Sequence, residues 1–161
     1  MGKVMGVCLS TRRSDPKKNV QRGFIKKNVG LVGDSHAGTE KEVSLLAMEA
    51  IRALCQKTGI VAGPGSFAEN ITLEGLEVKQ LPIGTEIQVG KARLKVIGIG
   101  KDPSAPHTYS FKGYSLLREK GIFCKVTKSG HVKVGDVVKT VRDRDGKDDS
   151  LRGMPGAQSF S

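Results

Sequence analysis

Aromatic residues are scarce in this chain: its 161 residues include two Tyr, five Phe and no Trp. A surface that holds a nucleic-acid strand needs rings on which successive bases stack. The scarcity therefore disfavours that class of function, and it leaves a core to be built mainly from Val, Ile and Leu. Cysteine is sparse too. Cys8, Cys55 and Cys124 are scattered without CxxC spacing, which argues against a disulfide framework, a zinc site or an iron–sulfur ligand set. Cys8, in an apolar strand-like run, and Cys55, in a helical one, read as buried packing residues. No apolar run approaches the roughly 20 residues of a membrane-spanning helix, and residues 4–9 are too few for the apolar stretch of a secretory signal. The expectation is a soluble, cytoplasmic, single-domain protein, long enough for a hydrophobic core.

Acidic residues are outnumbered, 16 against 27 Lys and Arg, for a net charge of +11. The excess is local. Residues 11–28 hold Arg12, Arg13, Lys17, Lys18, Arg22, Lys26 and Lys27 against Asp15 alone, whereas the charges of residues 142–161 cancel. A basic segment concentrates anions such as phosphate-bearing cofactors. It is equally compatible with a solvated loop.

The 21 glycines imply many turns. Residues 3–9 read as a strand and 11–28 as a long loop, ending in a short strand near Phe24 and Ile25. Residues 42–46 read as a strand. Residues 47–57 read as a helix, with Met48, Ile51, Leu54 and Cys55 on one face and Gly59 as its stop. Residues 67–73 form a strand, 86–89 and 92–99 a hairpin around Gly90-Lys91, and 102–111 a loop. One helical turn is expected over 114–119. Closing strands follow at 122–127 and 132–141, separated by Ser129-Gly130. Residues 1–141 form the domain, and 142–161, rich in Asp, Gly and Ser, a disordered tail. About seven short strands and one main helix predict a mostly-β fold, a closed or partly closed barrel with short helical turns.

Chemistry concentrates in Gly33-Asp34-Ser35-His36-Ala37-Gly38. An Asp and a His two residues apart, in a turn whose glycines permit close backbone approach, can bind a polar ligand, hold a metal or move a proton. An Asx-type turn with a surface histidine fits as well. Val43-Ser44-Leu45-Leu46 and Glu49 follow, then Phe67-Ala68-Glu69-Asn70-Ile71-Thr72, Ile83-Gly84-Thr85, Arg118-Glu119-Lys120-Gly121-Ile122-Phe123 and Val134-Gly135-Asp136. In this order the segments resemble the MOSC family, the C-terminal domain of molybdenum-cofactor sulfurases and its small free-standing bacterial relatives. The resemblance runs from about Val4 to Val141.

That resemblance implies a β-barrel with a few short helices. It implies a phosphate-bearing pterin as ligand, the molybdenum cofactor (molybdopterin), and a role in handling the cofactor or transferring sulfur to it. The associated properties are molybdenum-ion binding, pyridoxal phosphate binding and sulfur carriage, with a cysteine desulfurase or a molybdoenzyme as partner. The implied cofactor-binding residues are Asp34, His36, Glu69, Asn70 and Arg118, with Lys17, Lys18, Arg22 and Lys41 facing the phosphate. No residue is assigned as a metal ligand. Substitution of Asp34 or His36 is expected to weaken cofactor retention and spare stability.

One departure bears on sulfur transfer. The family's usual cysteine, two residues beyond a lysine like Lys101, is here Pro103, which offers neither a thiolate nor an N–H. His107 cannot carry sulfane sulfur. Cys124 is the remaining candidate catalytic thiol, activated if Lys125 and Arg118 lie nearby; a buried packing cysteine is the alternative. Two further readings are a molybdenum-dependent reductase component for N-hydroxylated compounds and a basic β-barrel that binds nucleic acid. The first would need an electron-donor domain that this sequence does not encode, and the second lacks aromatic platforms. Gly98-Ile99-Gly100-Lys101 lacks P-loop spacing.

Overall fold

A computed structural model describes residues 1–12, 15–99 and 110–141. Over these the chain forms β1 (Gly2–Leu9), β2 (Lys18–Asn19), β3 (Arg22–Lys26), β4 (Gly30–Leu31), β5 (Val43–Ala47), α1 (Met48–Thr58), β6 (Ile71–Glu74), β7 (Glu86–Val89), β8 (Ala92–Ile99), α2 (Leu116–Lys120), β9 (Ile122–Lys128), β10 (Gly130–Lys133) and β11 (Val137–Thr140), with a 3-10 turn at Val78–Gln80. Strand order is β11–β7–β8–β9–β5–β6–β1, and β11 pairs back onto β1, closing a barrel of seven strands. Closure removes the sheet edges that would otherwise recruit other strands. Among the described strands only β5 and β6 run parallel, and their connection carries α1. A three-stranded sheet, β10–β3–β4, flanks the barrel, and β2 extends β1 at its far end.

Side chains alternate across each strand, and the alternation divides the barrel cleanly. Val7, Val43, Leu45, Ile71, Leu94 and Ile122 belong to one interior cluster and are fully buried. The outward-facing Leu46 joins a second cluster with Ile51 of α1, Phe67 and Leu116. Phe67 meets Phe111 edge to face, with centroids 5.6 Å apart. α1 ends where expected: Gly59 takes φ 79°, and its N–H donates to the Cys55 carbonyl at 2.8 Å. Cys55 itself is half-buried at the margin of the second cluster rather than fully buried. No helix among the described residues is long and apolar enough to cross a membrane.

Three expectations need correction. The long loop over residues 11–28 contains β2 and a five-residue β3, longer than the short strand expected near Phe24. Its pattern is masked because the outward positions Arg22 and Lys26 are charged, and its partner β10 lies about a hundred residues downstream. The strand expected over 132–141 is two strands in different sheets. Between them Gly135 takes φ 97° and the Asp136 carboxylate caps the Lys133 N–H at 2.9 Å. The strand expected over 67–73 is only Ile71–Glu74, because Ala68 adopts φ 65° in a tight turn. Residues 100–109 and 142–161, with Pro103, His107 and the expected tail, lie outside the described residues.

The flanking sheet is fixed to the barrel at Gly130. A Cβ there would sit 2.4 Å from the Lys91 carbonyl carbon and 2.7 Å from the Ala92 nitrogen. Both are backbone atoms and cannot turn aside. Gly130→Ala is expected to cost about 1–3 kcal/mol, read as a lower urea midpoint with an unchanged m-value.

Candidate functional site

Outward-facing positions of β9, β5 and β1, with Asn70 just ahead of β6, form one row. Phe123 of β9 lies opposite Ser44 of β5. The Ser44 N–H donates to Asn70 Oδ1 at 3.0 Å, and the Asn70 N–H returns to Ser44 Oγ at 3.0 Å. Asn70 Nδ2 donates to the Cys8 carbonyl of β1 at 3.2 Å, and the Cys8 N–H to the Asn70 carbonyl at 2.6 Å. Ser44, Asn70 and Cys8 are all buried. Asn70 thus holds β1 and β5 together just where β6 begins.

Asp34 packs against this row and is saturated with donors. Its Oδ1 accepts Lys17 Nζ at 2.6 Å and the Ser10 N–H at 3.1 Å, and its Oδ2 accepts the His36 N–H at 3.1 Å. The last bond is the Asx turn that the sequence allowed. The Lys17 and Asp34 side chains are 1% and 0% exposed. Burial alone would raise the Asp34 carboxyl, but Lys17, Ser10 and Asn70 together hold it below the usual carboxylate range. His36 remains 28% exposed, with Nδ1 3.8 Å from Asp34 Oδ2.

Glu69 organises the neighbouring turn. Its oxygens accept the Gly65 and Phe67 N–H groups at 3.0 and 3.2 Å and the Thr72 hydroxyl. Complete burial nevertheless pushes its carboxyl up. Gly65 is required here. It has φ 88°, and a Cβ would lie 2.1 Å from the Lys17 carbonyl oxygen, whose residue's N–H donates to the Gly65 carbonyl. One backbone contact therefore joins the Glu69 turn to the Lys17–Asp34 pair.

The nine implied binding residues thus divide. Asp34, His36, Glu69, Asn70 and Lys17 converge on one network. Lys41 lies beside it, with Nζ 5.2 Å from the centre of the Phe123 ring. Arg118 is half-buried on α2, Lys18 is exposed on β2, and Arg22 lines a different cleft. The basic residues therefore do not form the single phosphate-facing group expected of them, because Lys17 is consumed inside by Asp34. Cys124 faces the barrel interior, away from the row, and burial pushes its thiol up to about 12. Cys8 is fully buried, as its apolar run suggests. Its thiol is buried among Glu69, Thr72, Lys17 and Asp34 and is also pushed up to about 12, by burial first and Glu69 second. A further buried carboxylate, Glu42, accepts the Val126 N–H at 2.8 Å.

The family model described as the MOSC domain matches residues 32–139. The chain belongs to the MOSC domain family. Solved structures share the fold. YuaD from Bacillus subtilis superposes with a TM-score of 0.68 at 19% identity, over 86% of this chain and 94% of its own. YiiM from Geobacillus stearothermophilus gives 0.62 at 17% identity, over 88% and 76%. YiiM from Escherichia coli gives 0.60 at 17%, over 87% and 68%. No curated protein sequence matches significantly. MOSC domains are associated with molybdenum-cofactor-related proteins, and in this MOSC domain the residues of the two central motifs form the network just described.

The expectation that Asp34 can be replaced without loss of stability does not follow from this geometry. Asp34→Asn strands a buried ammonium, a loss of about 3–5 kcal/mol, or roughly 10 °C of melting temperature. The pH sign is fixed too. A carboxyl lowered by folding contributes stability that is fully present above about pH 4 and is lost as pH falls through the folded value. Acid titration of stability should therefore show a step in the wild type that Asp34→Asn lacks.

Proposed function

We propose that the Asp34–His36 turn and the adjoining row form a binding site for the molybdenum cofactor, and that this MOSC domain is a cytoplasmic handler of that cofactor. The observation that supports the reading is the convergence of Asp34, His36, Glu69 and Asn70 on one network, although Glu69 and Asn70 lie 35 and 36 positions beyond Asp34 in the sequence. When bound, the cofactor would supply a dithiolene-held metal. The chain's own residues would supply recognition. Asp34, Asn70 and Glu69 have committed their polar atoms to backbone and side-chain partners, so their part is to position the turn. His36 is accessible for a hydrogen bond to a polar ring edge. Lys41, exposed beside Phe123, offers a cation for the phosphate.

The donor set fits the organic part of the cofactor better than its metal. Among the described residues no group of three or more His, Cys, Asp or Glu is placed to hold a metal ion. Cys8 and Cys124 are fully buried with raised thiols, and only a thiolate attacks or ligates readily. Holding and delivering the cofactor, to a molybdoenzyme for example, is therefore favoured over carrying sulfur from a cysteine desulfurase on Cys124. Pyridoxal phosphate has no part in this reading, because the lysine inside the network, Lys17, is paired to Asp34.

Protein purified from cells with an active molybdenum-cofactor pathway should carry molybdenum, measured by mass spectrometry of the metal, and a pterin that fluoresces after oxidation. His36→Ala and Lys41→Gln should each lower both loads several-fold with little change in melting temperature, as expected of surface substitutions. Metal-free and pterin-free protein from such cells, or equal loading of both variants, would contradict the proposal. A second measurement tests the role of the thiol. Incubation with a cysteine desulfurase and labelled cysteine should leave no persulfide on Cys124, and a stable one there would restore sulfur carriage.

A further inference from the structure

A second cleft, of about 850 Å³, opens between the outer face of the flanking sheet and the β7–β8 turn. Its volume falls in the range of roughly 300–1,000 Å³ common to small-molecule sites. Register builds one wall. In β3, Gly23 faces inward against Leu31 and Val7, so Arg22 and Phe24 project outward. Their cross-strand partners on β10 are Lys133 and His131. The Phe24 and His131 rings lie 4.9 Å apart, tilted by 57°. The β7–β8 turn and β11 add Lys91 and Lys139 to the lining. The turn is held in place by backbone bonds from Gly90 N–H to the Val137 carbonyl at 3.2 Å and from Lys91 N–H to the His131 carbonyl at 3.1 Å.

Arg22, Lys91, Lys133 and Lys139 thus line one cleft with a single lining carboxylate, Asp136, which Lys133 engages at 3.2 Å. Among the described residues no carboxylate pairs with the other three. Like charges gathered in a concave site raise the local concentration of anions, and the Phe24 ring and the half-exposed Val137 offer apolar surface beside them. None of Ser10, Lys17, Asp34, His36, Glu69 or Asn70 lines this cleft. We propose that it is a separate binding site for a small phosphate ester bearing a planar ring, a nucleotide-like metabolite. A nucleic-acid strand fits less well, because a strand needs successive stacking platforms and the cleft has one ring pair.

The test uses the full chain and four probes: AMP, ATP, inorganic pyrophosphate and a short oligouridylate. Calorimetry should show binding of the two nucleotides, weaker binding of pyrophosphate, and affinities that fall as salt is raised. In amide NMR spectra the nucleotides should shift Gly23, Gly90 and Val132 and leave residues 34–37 in place. Lys91→Glu combined with Lys139→Glu should weaken ATP at least about tenfold. Phe24→Ala should weaken AMP several-fold while sparing pyrophosphate. The proposal is overturned if neither nucleotide binds at millimolar concentration, if the charge reversals leave the affinity unchanged, or if the shifts map to residues 34–37. It is equally overturned if the oligouridylate binds far more tightly than AMP, which would mark a nucleic-acid surface.

Discussion

The buried pair between Lys17 and Asp34 is the contact on which the site depends. A buried ion pair contributes little net stability, because desolvation offsets most of the attraction, yet breaking one side of it is costly. Its consequence here is architectural. Asp34 accepts from Lys17, Ser10 and His36 at once, so one carboxylate ties the end of β1, the segment before β2 and the turn after β4. Lys17 in turn is bound through its backbone to Gly65, whose N–H is held by Glu69. Segments that share no local sequence are thereby fixed relative to one another. The His36 ring, 3.8 Å from Asp34 Oδ2 at its Nδ1, stays partly exposed at the edge of this turn.

Barrel closure is the second constraint, because it fixes what points in and what points out. Ile122 and Cys124 fill the interior while Phe123, between them, joins the outer row. A slip of one residue in β9 would exchange these faces and place Ile122, Val126 and the Cys124 thiol outside. The same rule explains why a lysine next to Cys124 in sequence does not activate it. Lys125 lies on the other face, 3.9 Å from Glu42, and the thiol it follows is enclosed by Val43 and Val96 across the sheet.

Much of this was legible from local signals. The hairpin around Gly90-Lys91 and the helix stopped at Gly59 declare themselves through alternation, helical spacing and a glycine in the left-handed region. Asp34, His36, Glu69 and Asn70 could be singled out because the motifs that carry them resemble a family. Their roles could not, since Glu69 and Asn70 act through bonds to residues far along the chain, such as Cys8, 62 positions from Asn70. β3 was obscured for a related reason. Its charged outer positions suggest a loop until Gly130–Lys133 is seen to pair with it.

Charge shows the same limit most sharply. Lys17, Lys18 and Arg22 lie within six positions, and proximity suggests a single anion site. The fold sends them to different places: Lys17 into the buried network, Lys18 to the β2 edge and Arg22 to the second cleft. That cleft draws its other cations from β10, β11 and the β7–β8 turn, segments far from residues 11–28 in the sequence. Electrostatic potential depends on distance in space, and in a barrel distance in space is set by strand register. A basic run in a β-rich sequence therefore specifies how much positive charge must be placed, while the pairing of distant strands decides where an anion would find it.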